Sequence, residues 1–395
     1  MNEAPHNVEA RGGRRLKIAV DARYLTGRPS GIGRYSESLL LALARLKTEH
    51  TWHVLVQPGY QPPEALRGAM QWHAVALAPI GQGTLLRVGG LIDALRCDVA
   101  HVHCPLVPLR LQTPLVVTFH DWQPLTEPEF SAGRPWPLPQ CYTQFYRWAY
   151  PRAARRARAI VNVSEATRAE TVRFVPESAG RARAILSGLD DFFRQPASAT
   201  ECAAVRQRFA LPKRYLLYVG STRPNKHLPL LLETYAQLKA GGERAGLVLV
   251  LTKDRFWGAA EAALRRLGLE REVCVLEGLD ETALRAIYRE AALFTMAATG
   301  EGFGFPLLEA MAQGVPTVIR AAGSLPELAG EAGICVPGGD AEALAEVWLK
   351  LLNEKELAER LGRAGAARAA LFRWEDAARQ TLAVLEQAAE KDVGA

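Results

Sequence analysis

The 395-residue chain contains no apolar run approaching the roughly 20 residues that a membrane-spanning helix needs. Its polar start, Met1 to Arg15 with Arg11, Arg14 and Arg15, is followed by Lys17 to Val20, which leads into a strand and has no signal-peptide character. A cytoplasmic protein is expected. No C-x-x-C pair occurs among Cys97, Cys104, Cys141, Cys202, Cys274 and Cys335, so neither a zinc motif nor a disulfide framework is suggested. No Gly-Lys-Ser/Thr follows a glycine-rich stretch, which excludes a Walker A loop. Low-complexity tracts are absent apart from an Ala/Arg-rich stretch at 359–370, which reads as a solvated helix. His101, His103 and Cys104 suggest a metal site at first sight. No further ligands lie near them in the sequence, and alternation along one strand and its exit loop is the preferred reading.

What is present is ordinary for a soluble globular protein: 49% hydrophobic and 23% charged residues, with a formal net charge of +6. The charge is unevenly spread. Residues 1–210 carry 26 Lys and Arg against 17 Asp and Glu, and the remainder 22 against 25. A basic half suits nucleic acid, an anionic membrane or a phosphorylated substrate, and no nucleic-acid motif supports the first.

Short apolar runs without polar alternation recur along the chain, as in strands buried on both faces of a parallel sheet. The first half predicts strands at 17–21, 52–57, 99–103, 115–120, 160–164 and 184–187. The second predicts them at 215–220, 247–252, 273–277, 292–297, 317–320 and 334–336. Helical patterns such as 228–239, 259–267 and 281–290 lie between them, which argues for doubly wound α/β sheets. A Pro/Ser/Thr-containing break divides the chain. The predicted organisation is a polar tail (1–15), a first Rossmann-like domain (16–193), a linker (194–212), a second such domain (213–372), and a C-terminal helix (373–395) able to pack back on the first domain. Two such sheets form a cleft where their carboxyl-terminal strand ends meet, the usual place for a ligand.

Three segments carry chemistry. The first, Asp21 to Tyr35, is a strand, a loop with Gly27, Gly31 and Gly33, and a helix. Glycine lets the backbone approach a phosphate, and a helix N-terminus offers free N–H groups, although a purely structural turn reads equally well. The second, Tyr218-Val-Gly-Ser-Thr-Arg-Pro-Asn-Lys, places Arg223 and Lys226 between a strand end and a helix, which suits a diphosphate; a solvated basic loop is the alternative. The third runs from Thr299 to Pro316 and holds Glu301 and Glu309 at an E-x₇-E spacing. Pro306 fits the first helical turn, so 302–305 form the loop before it. A carboxylate accepts hydrogen bonds from vicinal hydroxyls, and the N–H groups of Gly302, Phe303 and Gly304 can donate to a sugar or phosphate. For Glu309 alone, an acid complementing the helix dipole is the alternative.

The segment Glu301-Gly-Phe-Gly-Phe-Pro-Leu-Leu-Glu309-Ala-Met-Ala resembles the signature of the retaining GT-B glycosyltransferases of family 4, a family with many bacterial mannosyl- and glucosyltransferases. Asp21 to Tyr35, Thr118-Phe-His-Asp121, Val163-Ser-Glu-Ala-Thr, Ser187-Gly-Leu-Asp and Ser324-Leu-Pro-Glu-Leu-Ala-Gly follow in the family's order, so the likeness covers nearly the whole chain. It implies that His120 approaches the donor hexose and shields the reacting carbon, that Arg223 and Lys226 bind the diphosphate, that Glu301 holds sugar hydroxyls, and that Glu309 holds the ribose. It also places Gly31, Gly33, Ser221, Gly302, Phe303, Gly304 and Leu307 around the donor. Gly300 departs from the pattern, since relatives often have an aromatic residue or Ser there; so does Asn225, where a basic residue is frequent. Without the family, a histidine ending a buried strand reads as structural.

The expected reaction transfers a hexose, mannose or glucose, from GDP-mannose or a UDP-hexose to a glycan or lipid-linked acceptor with retention, and the acceptor would allow peripheral contact with the inner membrane. No D-x-D pair exists, so no metal cofactor is expected. The alternatives on the same fold are a nucleotide-sugar epimerase, a disaccharide phosphorylase and a non-catalytic nucleotide-sugar-binding protein.

Overall fold

A computed structural model describes residues 14–26, 30–131 and 138–390. Gly27 and most of the polar tail lie outside the described residues. Among those described, two parallel sheets form. The first holds β1 (Lys17–Asp21), β2 (Thr51–Val56), β3 (Gln71–Ala74), β4 (Val99–Val102), β5 (Leu115–Phe119), β6 (Ala159–Asn162) and β7 (Ala182–Ala184) in the order β3-β2-β1-β4-β5-β6-β7. The second holds β8 (Tyr215–Ser221), β9 (Gly246–Thr252), β10 (Val273–Leu276), β11 (Leu293–Met296), β12 (Thr317–Arg320) and β13 (Ile334–Val336) in the order β10-β9-β8-β11-β12-β13. This is the two-domain GT-B architecture.

In each sheet the chain first winds outward in one direction and then returns to the other side of its first strand. The reversal falls between β1 and β4 in the first sheet and between β8 and β11 in the second. Helices leaving neighbouring strands there go to opposite faces, which opens a crevice at the carboxyl ends. The strands are apolar because both faces are covered: Val116, Val117, Leu247, Val248 and Leu249 are all fully buried. The edge strand β3, Gln71-Trp-His-Ala, escapes the apolar-run criterion because it is short and only half-covered. The last strand of this sheet is Ala182–Ala184, not 184–187; Ile185 to Ser187 leave the sheet as an irregular crossing segment.

Helix α1 (Gly31–Arg45) buries Leu39, Leu40 and Leu43 on one face of the first sheet. Helix α2 (Leu138–Arg156) covers the other face with Tyr146, Tyr150, Ala153 and Ala154. It continues through Pro151, a residue that ordinarily kinks or ends a helix. The lost N–H bond is offset by buried contacts on either side of the ring. A connecting helix, α3 (Ala199–Phe209), starts with a capping box in which Ser198 and Glu201 satisfy each other's backbone N–H groups. In the second sheet α4 (Leu228–Ala240), α5 (Glu281–Glu290) and α6 (Phe305–Ala312) follow β8, β10 and β11.

The terminal helix α7 (Trp374–Ala389) packs on α1 and along β4, β5 and β6. Arg158 Nη1 donates to the carbonyls of Ala388 (3.0 Å) and Glu390 (2.8 Å), and the His50 ring nitrogen Nε2 lies 3.0 Å from Glu386 Oε1. The chain therefore crosses between the domains twice. Leu385 of α7 is fully buried in the core cluster that runs through both domains. Leu385→Ala is expected to destabilise the protein by about 2–5 kcal/mol, read as a lower urea midpoint at unchanged slope.

Candidate active site

Both switch points open into one cleft. From the first sheet come α1 after β1, His103 after β4, and His120 with Asp121 after β5. From the second come Arg223 to Lys226 after β8 and 299–304 after β11. Sequence-distant segments meet because every strand is parallel and delivers its carboxyl end to the same side.

The tightest contact across the cleft uses no side chain. A Cβ on Gly302 would lie 1.7 Å from the His120 carbonyl oxygen, so only glycine lets the domains close here. Around it, Gln123 Nε2 donates to the Gly300 carbonyl (3.2 Å) and the Thr299 hydroxyl donates to Glu127 Oε1 (3.1 Å). Glu327 Oε2 accepts the N–H groups of Glu165 (2.9 Å) and Ala166 (3.4 Å), which are free at the start of the helix that Ser164 caps. Thus the Val163–Thr167 and Ser324–Gly330 segments, separate in sequence, hold each other.

Both signature carboxylates are paired with cations. Glu301 forms an ion pair with Lys226 in which both side chains are largely buried. Glu309 is 1% exposed and has both oxygens occupied: Arg34 of α1 pairs with Oε1, and the Tyr288 hydroxyl donates to Oε2 at 2.9 Å. Its place beyond the first turn of α6 removes the simple dipole-complementing reading. Burial alone would lower the Arg34 pKa; Glu309 more than offsets it. Arg34 also lies over the rings of Phe193 (5.2 Å) and Phe305 (5.3 Å), and its Nη2 is buried with no hydrogen-bond partner. Sequence reasoning missed Arg34 and Tyr288. A cation immediately after Gly33 in a glycine-rich helix start was the available signal for the first; nothing local marked the second.

Arg223 makes no ion pair among the described residues and lines a cavity of ≈ 350 Å³ with Gln123, Glu127, Asn225, Asp254 and Arg255. Ser221 ends β8, and its carbonyl accepts from the Tyr218 hydroxyl at 2.9 Å. Gly31 and Gly33 line a second cavity of ≈ 560 Å³ with Arg34, Thr252, Glu281 and Phe305, and the Ser30 hydroxyl caps α1 by accepting from Gly33 N–H at 3.0 Å. Gly304 precedes α6 with φ +109°, a left-handed conformation suited to glycine. Phe303 and Leu307 point into the core, and the Leu307 N–H is bonded to the Gly304 carbonyl (3.0 Å). Their side chains anchor the loop, so any contact they make with a donor is through backbone.

His120 donates from Nε2 to the His103 carbonyl at 2.9 Å, and burial pushes its pKa down to about 4. Burial pushes the neighbouring Asp121 carboxyl up, opposed by the Gln123 N–H and by Arg223. His101 and His103 contact each other, Thr118 and Ser36, and no acidic or thiol group joins them in a metal cluster among the described residues.

Two family models match this chain: Glycosyltransferase Family 4 over residues 29–191 and Glycosyl transferases group 1 over residues 203–368. The O-antigen chain mannosyltransferase B of Escherichia coli is 30% identical over 289 residues, 70% of this chain and 71% of that protein. The chain belongs to the group 1, family 4 glycosyltransferases. The MMP alpha-(1->4)-mannosyltransferase of Mycolicibacterium hassiacum is 31% identical over 288 residues, 71% of this chain and 66% of that protein. Among solved structures, Anabaena Alr3699/HepE in complex with UDP and glucose aligns with a TM-score of 0.71 at 18% identity, over 94% of this chain and 99% of that one.

Buried His101 and half-buried His120 of this glycosyltransferase predict an acid-sensitive fold. His101 is depressed to about 3 and His120 to about 4, from an ordinary 6.5, both by burial. The unfolded chain therefore takes up these protons first. Their contribution is complete above the ordinary value and is lost as pH falls from there toward 4, at about 1.4 kcal/mol per pH unit for each histidine. Urea denaturation at a series of pH values should show this loss.

Proposed function

We propose that this glycosyltransferase moves a hexose, with mannose favoured, from a nucleoside-diphosphate sugar to a glycan or lipid-linked acceptor with retention of anomeric configuration. The observation that carries the reading is the convergence of Arg223, Lys226, Glu301, Gly302 and His120 at facing switch points of the two sheets. Mannose is favoured because both relatives above are mannosyltransferases by name, which makes GDP-mannose the first donor to test and a UDP-hexose the second.

In this reading Arg223 and Lys226 hold the diphosphate and stabilise the charge it gains as the anomeric C–O bond breaks. Glu301, released from Lys226 when the phosphate takes over that cation, accepts from the sugar hydroxyls. Glu309 accepts from the ribose, which exchanges for Arg34. Ser221 and the backbone of Gly31, Gly33 and 302–304 complete the donor site, with Leu307 anchoring the last. The acceptor oxygen attacks from the face the diphosphate leaves, and its proton passes to the departing phosphate oxygen. The two cations supply the countercharge without a metal.

A second observation supports peripheral contact with an anionic membrane. Leu86 (70% exposed), Leu109 (36%) and Trp148 (46%) are exposed on the first domain, with Arg147, Arg152, Arg155 and Arg156 around Trp148. Arg152 and Arg156 donate to carbonyls of the β4–β5 connection and Arg155 to Glu177, which orients these solvent-facing charges around Trp148. Basic side chains near an anionic surface contribute about 1 kcal/mol each, and indole favours the headgroup region. No helix among the described residues is long and apolar enough to cross a membrane.

The donor site is tested first. Glu309→Ala should weaken nucleotide-sugar binding about tenfold or more in calorimetry. Arg223→Ala and Lys226→Ala should each lower kcat/KM on the order of 100-fold, while EDTA leaves turnover unchanged. Unaltered affinity in folded Glu309→Ala would remove its ribose role, and turnover lost to EDTA and restored by manganese would overturn the metal-free account. For the membrane, the protein should sediment with anionic vesicles at low salt and release at high salt, and Trp148→Ala with Leu86→Ser should reduce binding. A wild-type protein that stays in the supernatant at low salt excludes this contact.

A further inference from the structure

A row of buried polar side chains lies beneath His120 and has no part in the donor contacts above. It joins α1, β4 and β5: Ser36 and Tyr35 from the helix, His101 and His103 from β4 and its end, and Thr118 from β5. Tyr35 is 3% exposed and the other four are fully buried, so the donors and acceptors must match one another.

With both imidazoles neutral, the direction of every bond follows from one end. The Ser36 hydroxyl donates to the Ile32 carbonyl, one turn back on α1, at 2.8 Å. Toward His103 it can only accept, so the proton of His103 sits on Nδ1, 2.9 Å away. A neutral imidazole protonated on Nδ1 has a lone pair on Nε2. His101 Nδ1, 3.3 Å from that nitrogen, therefore donates. His101 Nε2 in turn accepts from the Thr118 hydroxyl at 2.8 Å, and the Tyr35 hydroxyl ends the row by donating to Thr118 at 3.4 Å. With both histidines neutral every donor in the row meets an acceptor, and burial favours that form.

Two members of the row touch His120. The His103 carbonyl accepts its Nε2–H, and the Tyr35 ring meets the His120 ring edge-on at 4.8 Å and 87°. Thr118 precedes it by two residues on the same strand.

We propose that His101 and His103 are positioning residues that, through this one-way row, hold His120 as the neutral tautomer protonated on Nε2, leaving Nδ1 as the nitrogen available to a ligand. A neutral ring there keeps a second cation away from the positive charge that develops on the anomeric carbon, and the row fixes the glycine-rich start of α1 relative to it. The inference rests on the assignment of His120 to the reacting carbon.

The tautomers are read directly on the full-length protein labelled with ¹⁵N-histidine, by long-range proton–nitrogen correlation. His101 and His103 should be protonated on Nδ1 and His120 on Nε2, and none should titrate between about pH 5 and 8. Either buried histidine found charged at neutral pH, or protonated on Nε2, overturns the proposal. In turnover, Thr118→Val and Ser36→Ala should each lower kcat about tenfold, followed as nucleoside-diphosphate release from whichever of GDP-mannose and UDP-glucose binds. Nucleoside-diphosphate affinity should stay unchanged, and Thr118→Ser and Ser36→Thr should restore the rate. Unchanged kcat in Thr118→Val, or an equal loss in Thr118→Ser, overturns the positioning role. Full kcat in His120→Ala would overturn the assignment of His120 itself, whereas inactive His120→Ala with the wrong tautomers overturns the row alone.

Discussion

The site depends on how closely Gly302 can approach the His120 carbonyl. A methyl group at Gly302 would lie 1.7 Å from that oxygen, well inside contact distance, so the loop after β11 would have to withdraw from the end of β5. The links described around it are hydrogen bonds of ordinary length. Gln123 to Gly300, Thr299 to Glu127 and Glu327 to the helix start at Glu165 are lost by a shift of about an ångström, because hydrogen bonds weaken steeply with distance. The closed cleft is thus a consequence of one residue having no side chain, with the polar contacts arranged around that closure.

Closure brings like and unlike charges together in a partly desolvated space. Buried ion pairs are stabilising only when their geometry is good and their remaining bonding capacity is met. Glu309 meets this condition with Arg34 and Tyr288; Arg34, with a buried unpartnered Nη2, does not. Lys226 and Glu301 likewise neutralise each other. A diphosphate and a sugar carry the complementary groups, anionic oxygens for the cations and hydroxyls for the carboxylates. Under the proposed function, donor binding would therefore exchange partners within the site instead of introducing uncompensated charge.

The histidines at the ends of β4 and β5 illustrate a different solution to burial. His101 and His103 have no acid near enough to keep them charged, and burial favours the neutral form. A chain of hydroxyls and imidazoles satisfies each nitrogen in turn. Spacing of two along a strand and four along a helix places the participants on common faces, so the row is built from periodicity, but its partners come from three elements.

Sequence reading reached the fold because parallel strands buried on both faces must be apolar throughout, and runs such as 115–120 and 247–252 carry that mark locally. It missed β3 because an edge strand needs only half of that apolar content. It singled out Gly302, Glu301 and Lys226 because glycine-rich turns beside charged residues are local patterns, and it set aside His101, His103 and Cys104 as metal ligands for want of further ligands nearby. What it could not reach is who meets whom across the cleft: Arg34 with Glu309, Glu327 with the helix at Glu165, Ser36 with His103. Those pairings join residues far apart in the chain, and the periodicity of one element carries no information about the face of another. The amino-acid sequence by itself determined the two sheets and the chemistry at their strand ends; only the tertiary structure, by packing α1 and the β5 end against the second domain, decided which charges are paired and which groups the histidine nitrogens meet.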